Sequence, residues 1–266
     1  MICVEVALKA EAAPLIEAFD LKPISGNHLF PIWENNQIKL IVSGVGKIKA
    51  GAACSYLAAI YRDEDIYGWL NVGIGEHQTR KPGTPFLIHK IIDEARHASF
   101  FPSFAFVPPC ETEICLTIEN PESHCNIHAV YDMEASGFYA IASKLSPLEM
   151  IHVFKIISNN PNLEANKKQV ESLVSDHIDL LKKIIREMHG LIDEIAPVNI
   201  PFLDECLKKW HFTTCETNQL KGMLQRWQLV CPDQVLLSQD FINQKSTKEA
   251  LHFLECHLDS HPLVLS

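Results

Sequence analysis

The chain has 266 residues, of which 47% are hydrophobic and 21% charged, with a formal charge of -10 at neutral pH. That balance describes a globular protein with a sizeable core, either one large α/β domain or a domain of ordinary size with an appendage. The negative charge repels phosphate backbones and anionic lipid headgroups, which excludes nucleic acid and membrane surface as broad partners and leaves a small molecule as the expected ligand.

The first residues, Met1-Ile2-Cys3-Val4-Glu5-Val6-Ala7, have no basic lead and are interrupted by Glu5, so they do not read as a signal peptide. No run approaches the roughly 20 apolar residues of a membrane span. The nine cysteines, scattered from Cys3 to Cys256, form no CxxC pair, and the thirteen histidines form no HExxH pattern. Reduced thiols in a cytoplasm, with no metal and no cofactor, are therefore expected.

Up to about Ser158 the chain alternates β-rich runs with helical segments, as an α/β layer architecture requires. Ile2 to Leu8 reads as a buried strand and Lys9 to Glu11 as a turn. Pro14 is placed in the first turn of a helix ending near Phe19, where a missing N–H is tolerated. Ile38 to Val42 is a second strand, leading through Ser43-Gly44-Val45-Gly46 into an Ala-rich helix from Lys47 to Tyr61. Trp69 to Val72 and Phe86 to Ile92 are further strands, with Gly73 and Gly75 in the loop after the first. Met150 to Ile157 is an apolar run broken only by His152 and Lys155, which suits a strand buried on both faces. From Leu163 to Ile195 apolar residues recur at three- and four-residue intervals, predicting one long amphipathic helix that Gly190 is positioned to bend or end and Pro197 to stop. Pro201 to Ser266 looks helical, with capping boxes at Thr213/Glu216 and Ser246/Glu249. The expected division is residues 1–196 as the α/β domain and 197–266 as a helical appendage.

Five short strings carry candidate chemistry. Ala7-Leu8-Lys9-Ala10-Glu11 places an acid at a strand-to-helix loop, where it is either a general base or a charge complementing a helix dipole. Ser43-Gly44-Val45-Gly46-Lys47 lets a backbone turn tightly against a ligand, though any strand-to-helix turn can carry such glycines. Asn71-Val72-Gly73-Ile74-Gly75-Glu76-His77 follows a strand. Asp132-Met133-Glu134-Ala135 puts acids at the end of a strand and the start of a helix, where they are either ligand acceptors or a solvated helix N-terminus with Met133 in the core. Ile156-Ile157-Ser158-Asn159 ends the apolar strand.

In this order the strings resemble the signatures of the purine nucleoside phosphorylase and nucleosidase superfamily, especially its methylthioadenosine/S-adenosylhomocysteine nucleosidase and futalosine hydrolase branches. The resemblance implies a three-layer α/β/α fold with a central mixed sheet, a homodimer, and a nucleoside as ligand. It implies that Glu11 activates the attacking water, that Glu134 binds the ribose hydroxyls over Met133, and that Ser43, Gly44, Gly73, Ile74, Gly75, Glu76, Asp132 and Ser158 line the site. Asn159 stands where the nucleosidases carry a proton-donating Asp. An amide can only hydrogen-bond, which favours a 6-oxopurine nucleoside or a futalosine-like compound over an adenine nucleoside. Gly75 and Glu76 replace the usual Ala and Gly, and Glu76 either reads a base N–H or obstructs the pocket. The segment from Phe86 to Asp132 is shorter than in the nucleosidases, and within it Leu116-Thr117-Ile118-Glu119-Asn120-Pro121 resembles a T-x-(D/E)-x-P segment that would make Thr117 and Glu119 ligand contacts. Hydrolysis, phosphorolysis and binding without catalysis all stay open. Phosphorolysis needs cations for phosphate, and Arg62 and Arg80 are the arginines near the glycine loops.

Overall fold

A computed structural model describes residues 1–61, 68–120, 128–158, 166–195, 200, 202–230 and 238–260. The chain divides into two compact units, Met1–Glu194 and Ile195–Ser266. Asn159, Arg62 and Pro197, singled out in the sequence, lie outside the described residues.

The first unit is built on a mixed sheet of β1 (Ile2–Val6), β2 (Lys22–Pro23), β3 (Ile32–Glu34), β4 (Ile38–Val42), β5 (Gly68–Gly75), β6 (Pro85–Asp93), β7 (Ala98–Phe100), β8 (Thr112–Thr117), β9 (Val130–Asp132) and β10 (Ile151–Ile157). Its order is β2-β3-β4-β1-β5-β10-β6-β8-β9, with β7 paired to β6. Strands β4, β1, β5 and β10 run parallel, and so do β6, β8 and β9; the antiparallel β10–β6 pair joins the two groups. All seven residues of β10 are buried, as its near-continuous apolar sequence requires.

Helices cover both faces. Cys3, Trp69, Val153 and Ile157 share one core with Ala50, Ala53 and Leu57 of α2 (Lys47–Ile60) and with Phe138 and Ala142 of α3 (Ala135–Ala142). Ile74, of opposite parity on β5, packs with Ala10 of α1 (Lys9–Ala18) and Val170 of α4 (Lys167–Ser175). The helical pair α2–α3 packs at backbone contact. A Cβ on Gly137 would fall 1.9 Å from the Lys47 carbonyl oxygen, and one on Gly51 would fall 3.2 Å from the Gly137 carbonyl oxygen.

Four local expectations need correction. Gly73 and Gly75 lie within β5 and not in a loop after it, because their backbones pair with Lys155 and Ile157 of β10. The helix after β1 begins at Lys9, with Pro14 inside it rather than in its first turn. Glu11 Oε2 accepts the Leu8 N–H at 2.8 Å, so the acid closes the first turn and starts the helix earlier than the proline suggests. The predicted long helix is two, α4 and α5 (Ile178–Ile195), broken at Asp176–His177, where the His177 ring reaches back to the Leu173 carbonyl oxygen at 2.9 Å. Gly190 does not end α5, which continues to Ile195. Strand β10 starts at Ile151, because Leu148–Met150 form a turn of 3-10 helix.

The second unit contains α6 (Leu203–Lys209), α7 (Thr214–Val230), α8 (Gln239–Ile242) and α9 (Thr247–Asp259) around Trp210, Leu220, Leu224, Phe241 and Leu254. The Thr213/Glu216 capping box is complete, whereas at Ser246/Glu249 the serine caps the helix but the Glu249 side chain accepts from the Lys245 N–H at 2.9 Å and not from Ser246. Glu216 N–H donates to Thr213 Oγ1 at 3.3 Å and Thr213 N–H to Glu216 Oε2 at 2.8 Å, while Glu249 N–H donates to Ser246 Oγ at 3.2 Å. No described helix is long and apolar enough to cross a membrane.

Replacing Gly137 with Ala is expected to destabilise the first unit by about 3 kcal/mol, since backbone cannot yield as a side chain does. Gly190→Ala, with nothing within 4 Å of its added methyl, should be neutral or stabilising by up to about 1 kcal/mol. Urea denaturation of both variants checks the contrast.

Candidate functional site

Parallel strands deliver their C-terminal ends to one edge of the sheet, where α/β folds place ligands. Four segments reach it in this way: the turn from β1 into α1, the glycine loop from β4 into α2, the end of β5, and the end of β10 at Ser158. The step from β9 into α3 comes from the oppositely directed group and is brought there by the antiparallel Glu76–Tyr131 bridge to the end of β5.

The step from β9 to α3 shows why Asp132-Met133-Glu134-Ala135 is arranged as it is. Asp132 Oδ2 accepts the N–H groups of Glu134 at 3.2 Å and Ala135 at 2.8 Å, capping a helix start. Its Oδ1 accepts the Thr117 hydroxyl at 2.7 Å, and Thr117 Oγ1 in turn accepts the Ser136 N–H at 3.0 Å. Asp132 also pairs with Lys155 Nζ at 2.8 Å, both being almost fully buried. Burial alone would raise the carboxyl, but the Lys155 charge, its hydrogen bond and that of Thr117 hold Asp132 below the usual carboxylate range. Against the same burial, Asp132 and Glu134 hold the Lys155 ammonium above its ordinary value. Sequence reasoning passed over Lys155. A lysine in a strand buried on both faces had to find a buried acid, and that was the available signal.

Glu134 is the acid left facing the site. Its Oε1 accepts the Gly46 N–H at 2.8 Å, which joins the glycine loop to the α3 start, and among the described residues its Oε2 accepts no hydrogen bond. Gly44 and Gly46 have φ of +85° and +109°, values that other residues rarely adopt. Burial pushes Glu134 up to about 8, with Lys155 opposing and Asp132 reinforcing the rise.

Glu11, 2% exposed, is held by two backbone donors, Leu8 N–H at 2.8 Å and Ile74 N–H at 3.0 Å. Burial raises it to about 7 against those hydrogen bonds and the nearby Lys155 charge. Gly73 sits opposite Lys155 in the β5–β10 register. A Cβ there would lie 3.2 Å from both Glu11 Oε1 and Lys155 Nζ, so the glycine makes room for acid and ammonium together. Gly75 has an equally steric role, since its Cβ would fall 2.6 Å from Val130.

Other predicted residues have other surroundings. Ser43 is buried, with its hydroxyl 2.6 Å from Glu5 Oε1. Glu76 exchanges backbone hydrogen bonds with Tyr131 at 2.8 and 3.0 Å, and Ser158 N–H donates to the Gly75 carbonyl at 2.9 Å. Met133 packs with Leu116, Ile118 and Ala129. Glu119 is 63% exposed in its side chain and pairs with Lys47 at 3.0 Å, and Lys47 also meets Asp93 at 2.8 Å. Arg80 pairs with Glu111 at 2.8 Å. Among the described residues no three His, Cys, Asp or Glu side chains are grouped to hold a metal ion.

No family model and no curated protein matches the sequence. Solved structures do match. Arabidopsis thaliana 5'-methylthioadenosine nucleosidase in its apo form aligns with 71% of this chain and 96% of its own at 15% identity and a TM-score of 0.60. Native Helicobacter pylori futalosine hydrolase aligns with 70% of this chain and 97% of its own at 14% identity and a TM-score of 0.53. The Streptococcus pneumoniae 5'-methylthioadenosine/S-adenosylhomocysteine nucleosidase aligns with 69% of this chain and 97% of its own at 15% identity, also with a TM-score of 0.53. The chain has the nucleoside phosphorylase/nucleosidase fold. The C-terminal helices lie outside the part matched by this fold. Within the nucleosidase fold the first unit brings Glu11, Glu134, Asp132, Thr117, Gly73 and the glycine loop to one edge of the sheet, joined by Lys155.

Replacing Lys155 with Met leaves Asp132 buried without its cation and is expected to cost about 3–5 kcal/mol; adding Asp132→Asn should recover part of that loss in the same denaturation experiment. Glu11 and Glu134 bind protons more tightly folded than unfolded, so their stabilising contribution is full below the unfolded carboxyl pKa and is lost as pH rises through about 7 and about 8. Glu134→Gln should therefore melt progressively above the unmodified protein as pH is raised from about 5 to about 8, a trend that calorimetry at several pH values can check.

Proposed function

We propose that the chain is a purine nucleosidase that hydrolyses the N-glycosidic bond of a 6-oxopurine nucleoside or a futalosine-like compound. The observation that carries this reading is the pair of buried carboxyls, Glu11 and Glu134, fixed by backbone N–H groups at the C-terminal edge of the sheet. Glu134 with Oε2 open suits the 2′ and 3′ hydroxyls of a ribose, above Met133. Glu11, raised to about 7, suits a general base at neutral pH. In the proposed step Glu11 takes a proton from water as the water oxygen bonds to C1′. The C1′–N bond breaks with its electron pair passing to the base, and the developing ribosyl cation is faced by Glu134, which stabilises it in the ionised form that gains as pH rises through about 8. Asn159 is assigned to the base by its sequence position, as a hydrogen-bonding partner of the purine. Ser43, Gly44, Ile74, Glu76 and Ser158 are assigned to the pocket lining in the same way.

Water is preferred to phosphate as the nucleophile because three of the cations near this edge are paired with acids, although Lys49 lies exposed beside Gly44. Lys155 faces Asp132, Lys47 faces Asp93 and Glu119, and Arg80 faces Glu111. Thr117 and Asp132 are assigned to holding Glu134 and α3 in place, since their polar atoms are engaged with protein. A cytoplasmic homodimer acting without a cofactor completes the proposal.

The test is incubation of the pure protein with inosine, futalosine and methylthioadenosine, with and without phosphate, while free base is followed. Base release independent of phosphate, absent in Glu134→Ala and rising with pH through about 7, is expected. Release only with phosphate would replace hydrolysis by phosphorolysis. No release, together with a nucleoside-dependent rise in Tm, would make the protein a binding module.

A further inference from the structure

Glu5 lies on β1 beneath this site, wholly buried, with no part in the proposed chemistry. Its contacts bear on where hydrogens lie. Glu5 Oε1 is 2.6 Å from Ser43 Oγ, and the same Oγ is 2.8 Å from the Gly44 carbonyl oxygen. A serine hydroxyl has one hydrogen and cannot donate to both oxygens. The carbonyl has none to offer, and the Val6 carbonyl oxygen is a further acceptor 3.4 Å from the same Oγ, so a hydrogen on Glu5 would give the closest of these oxygen pairs its donor and leave the Ser43 hydrogen for a carbonyl. On its other side Glu5 Oε2 accepts from Asn71 Nδ2 at 2.5 Å, which the carbonyl oxygen of a neutral acid does as well as a carboxylate.

We propose that Glu5 is a protonated positioning residue: it donates to Ser43 Oγ, Ser43 donates to the Gly44 carbonyl, and Asn71 donates to Glu5, so one neutral carboxyl ties β1 to the glycine loop and β5. The consequence for the site rests on the functional reading above. The loop so held contains Gly46, whose N–H supports Glu134, and Asn71 precedes by two residues the Gly73 beside which Glu11 and Lys155 meet. The charged and titratable groups facing Glu5 are Lys155 from β10, Asp132 from β9, Glu11 from α1 and Cys54 from α2. The one cation among them, Lys155, is bonded to Asp132. Burial raises Glu5 above the ordinary carboxyl range despite the Ser43 and Asn71 hydrogen bonds, in keeping with the hydrogen count. An ionised Glu5 would also push Glu11 higher.

Glu5→Gln decides the matter, because its amide can donate to Ser43 and accept from Asn71 as the neutral acid does. Melting temperature is measured against pH for both proteins. Near about pH 4.5 they are expected to melt together, and the Gln variant should gain on the unmodified protein as pH rises above the unfolded carboxyl range, since only Glu5 holds a proton in the folded protein that it gives up on unfolding. A Gln variant that melts lower at neutral pH and recovers on acidification, or a gap that does not vary with pH, would overturn the protonated assignment. Where the protein turns over a nucleoside, the acid limb of kcat/KM should stay in place in Glu5→Gln, and a limb displaced to lower pH would show that Glu5 had carried charge. Glu5→Leu should raise KM and lower kcat several-fold, with Gln restoring both; equal activity in Leu and Gln would remove the positioning role. If no nucleoside is cleaved, the function fails while the melting series still decides Glu5, and it does so even if Glu5→Leu does not fold.

Discussion

The ion pair between Lys155 and Asp132 is the contact on which the site depends. It joins a central strand to the strand end that starts α3, with both partners almost fully buried. A buried ion pair returns little net stability over an apolar substitute, because two charges must be desolvated. What it does here is set charge. It keeps Asp132 ionised as a helix cap and acceptor for Thr117, and it lends a positive field to Glu11 and Glu134, each of which would be raised further without it.

Close backbone approach is the second constraint. Gly137 lets the α3 backbone meet the start of α2, and that meeting brings the Gly46 N–H to Glu134. Gly73 leaves the volume in which Glu11 and Lys155 face each other, and Gly75 lets the end of β5 lie against β9. None of these glycines needs left-handed backbone. They are required because any side chain would occupy space that the site uses. By contrast Gly44 and Gly46, both at positive φ, serve the turn itself.

Much of this architecture was legible in the chain. The alternation of apolar runs and helical segments located β1, β4, β5, β6 and β10 of the first unit but not the short strands β2, β3, β7 and β9 or the half-exposed β8, and Ser/Thr-x-x-Glu spacing located two helix starts in the second. Glu11, Gly73 and Glu134 stood out because each is a polar or small residue in or just after an apolar run: Gly73 near the end of β5, Glu11 in the first turn of α1 and Glu134 at the start of α3. The break at Asp176–His177 escaped because the apolar repeat continues across it; periodicity records which face is buried and not whether the backbone bonds run on. The early start of α1 escaped because Glu11 was read for its charge and not for its reach back to Leu8.

What the sequence determined by itself was the alternation of strands and helices and the set of residues available at the strand ends, since burial periodicity and turn chemistry are local. Tertiary structure alone decided the partners. Asp132 and Lys155 are separated by more than twenty residues and Glu134 and Gly46 by 88, so no spacing rule could pair them. Strand order decided it, setting β10 beside β5 and α2 against α3, and thereby which acids keep a cation and which are raised by burial alone. The raised Glu11 and Glu134, and the proton proposed on Glu5, follow from that placement, because desolvation and hydrogen-bond geometry exist only once the chain is folded.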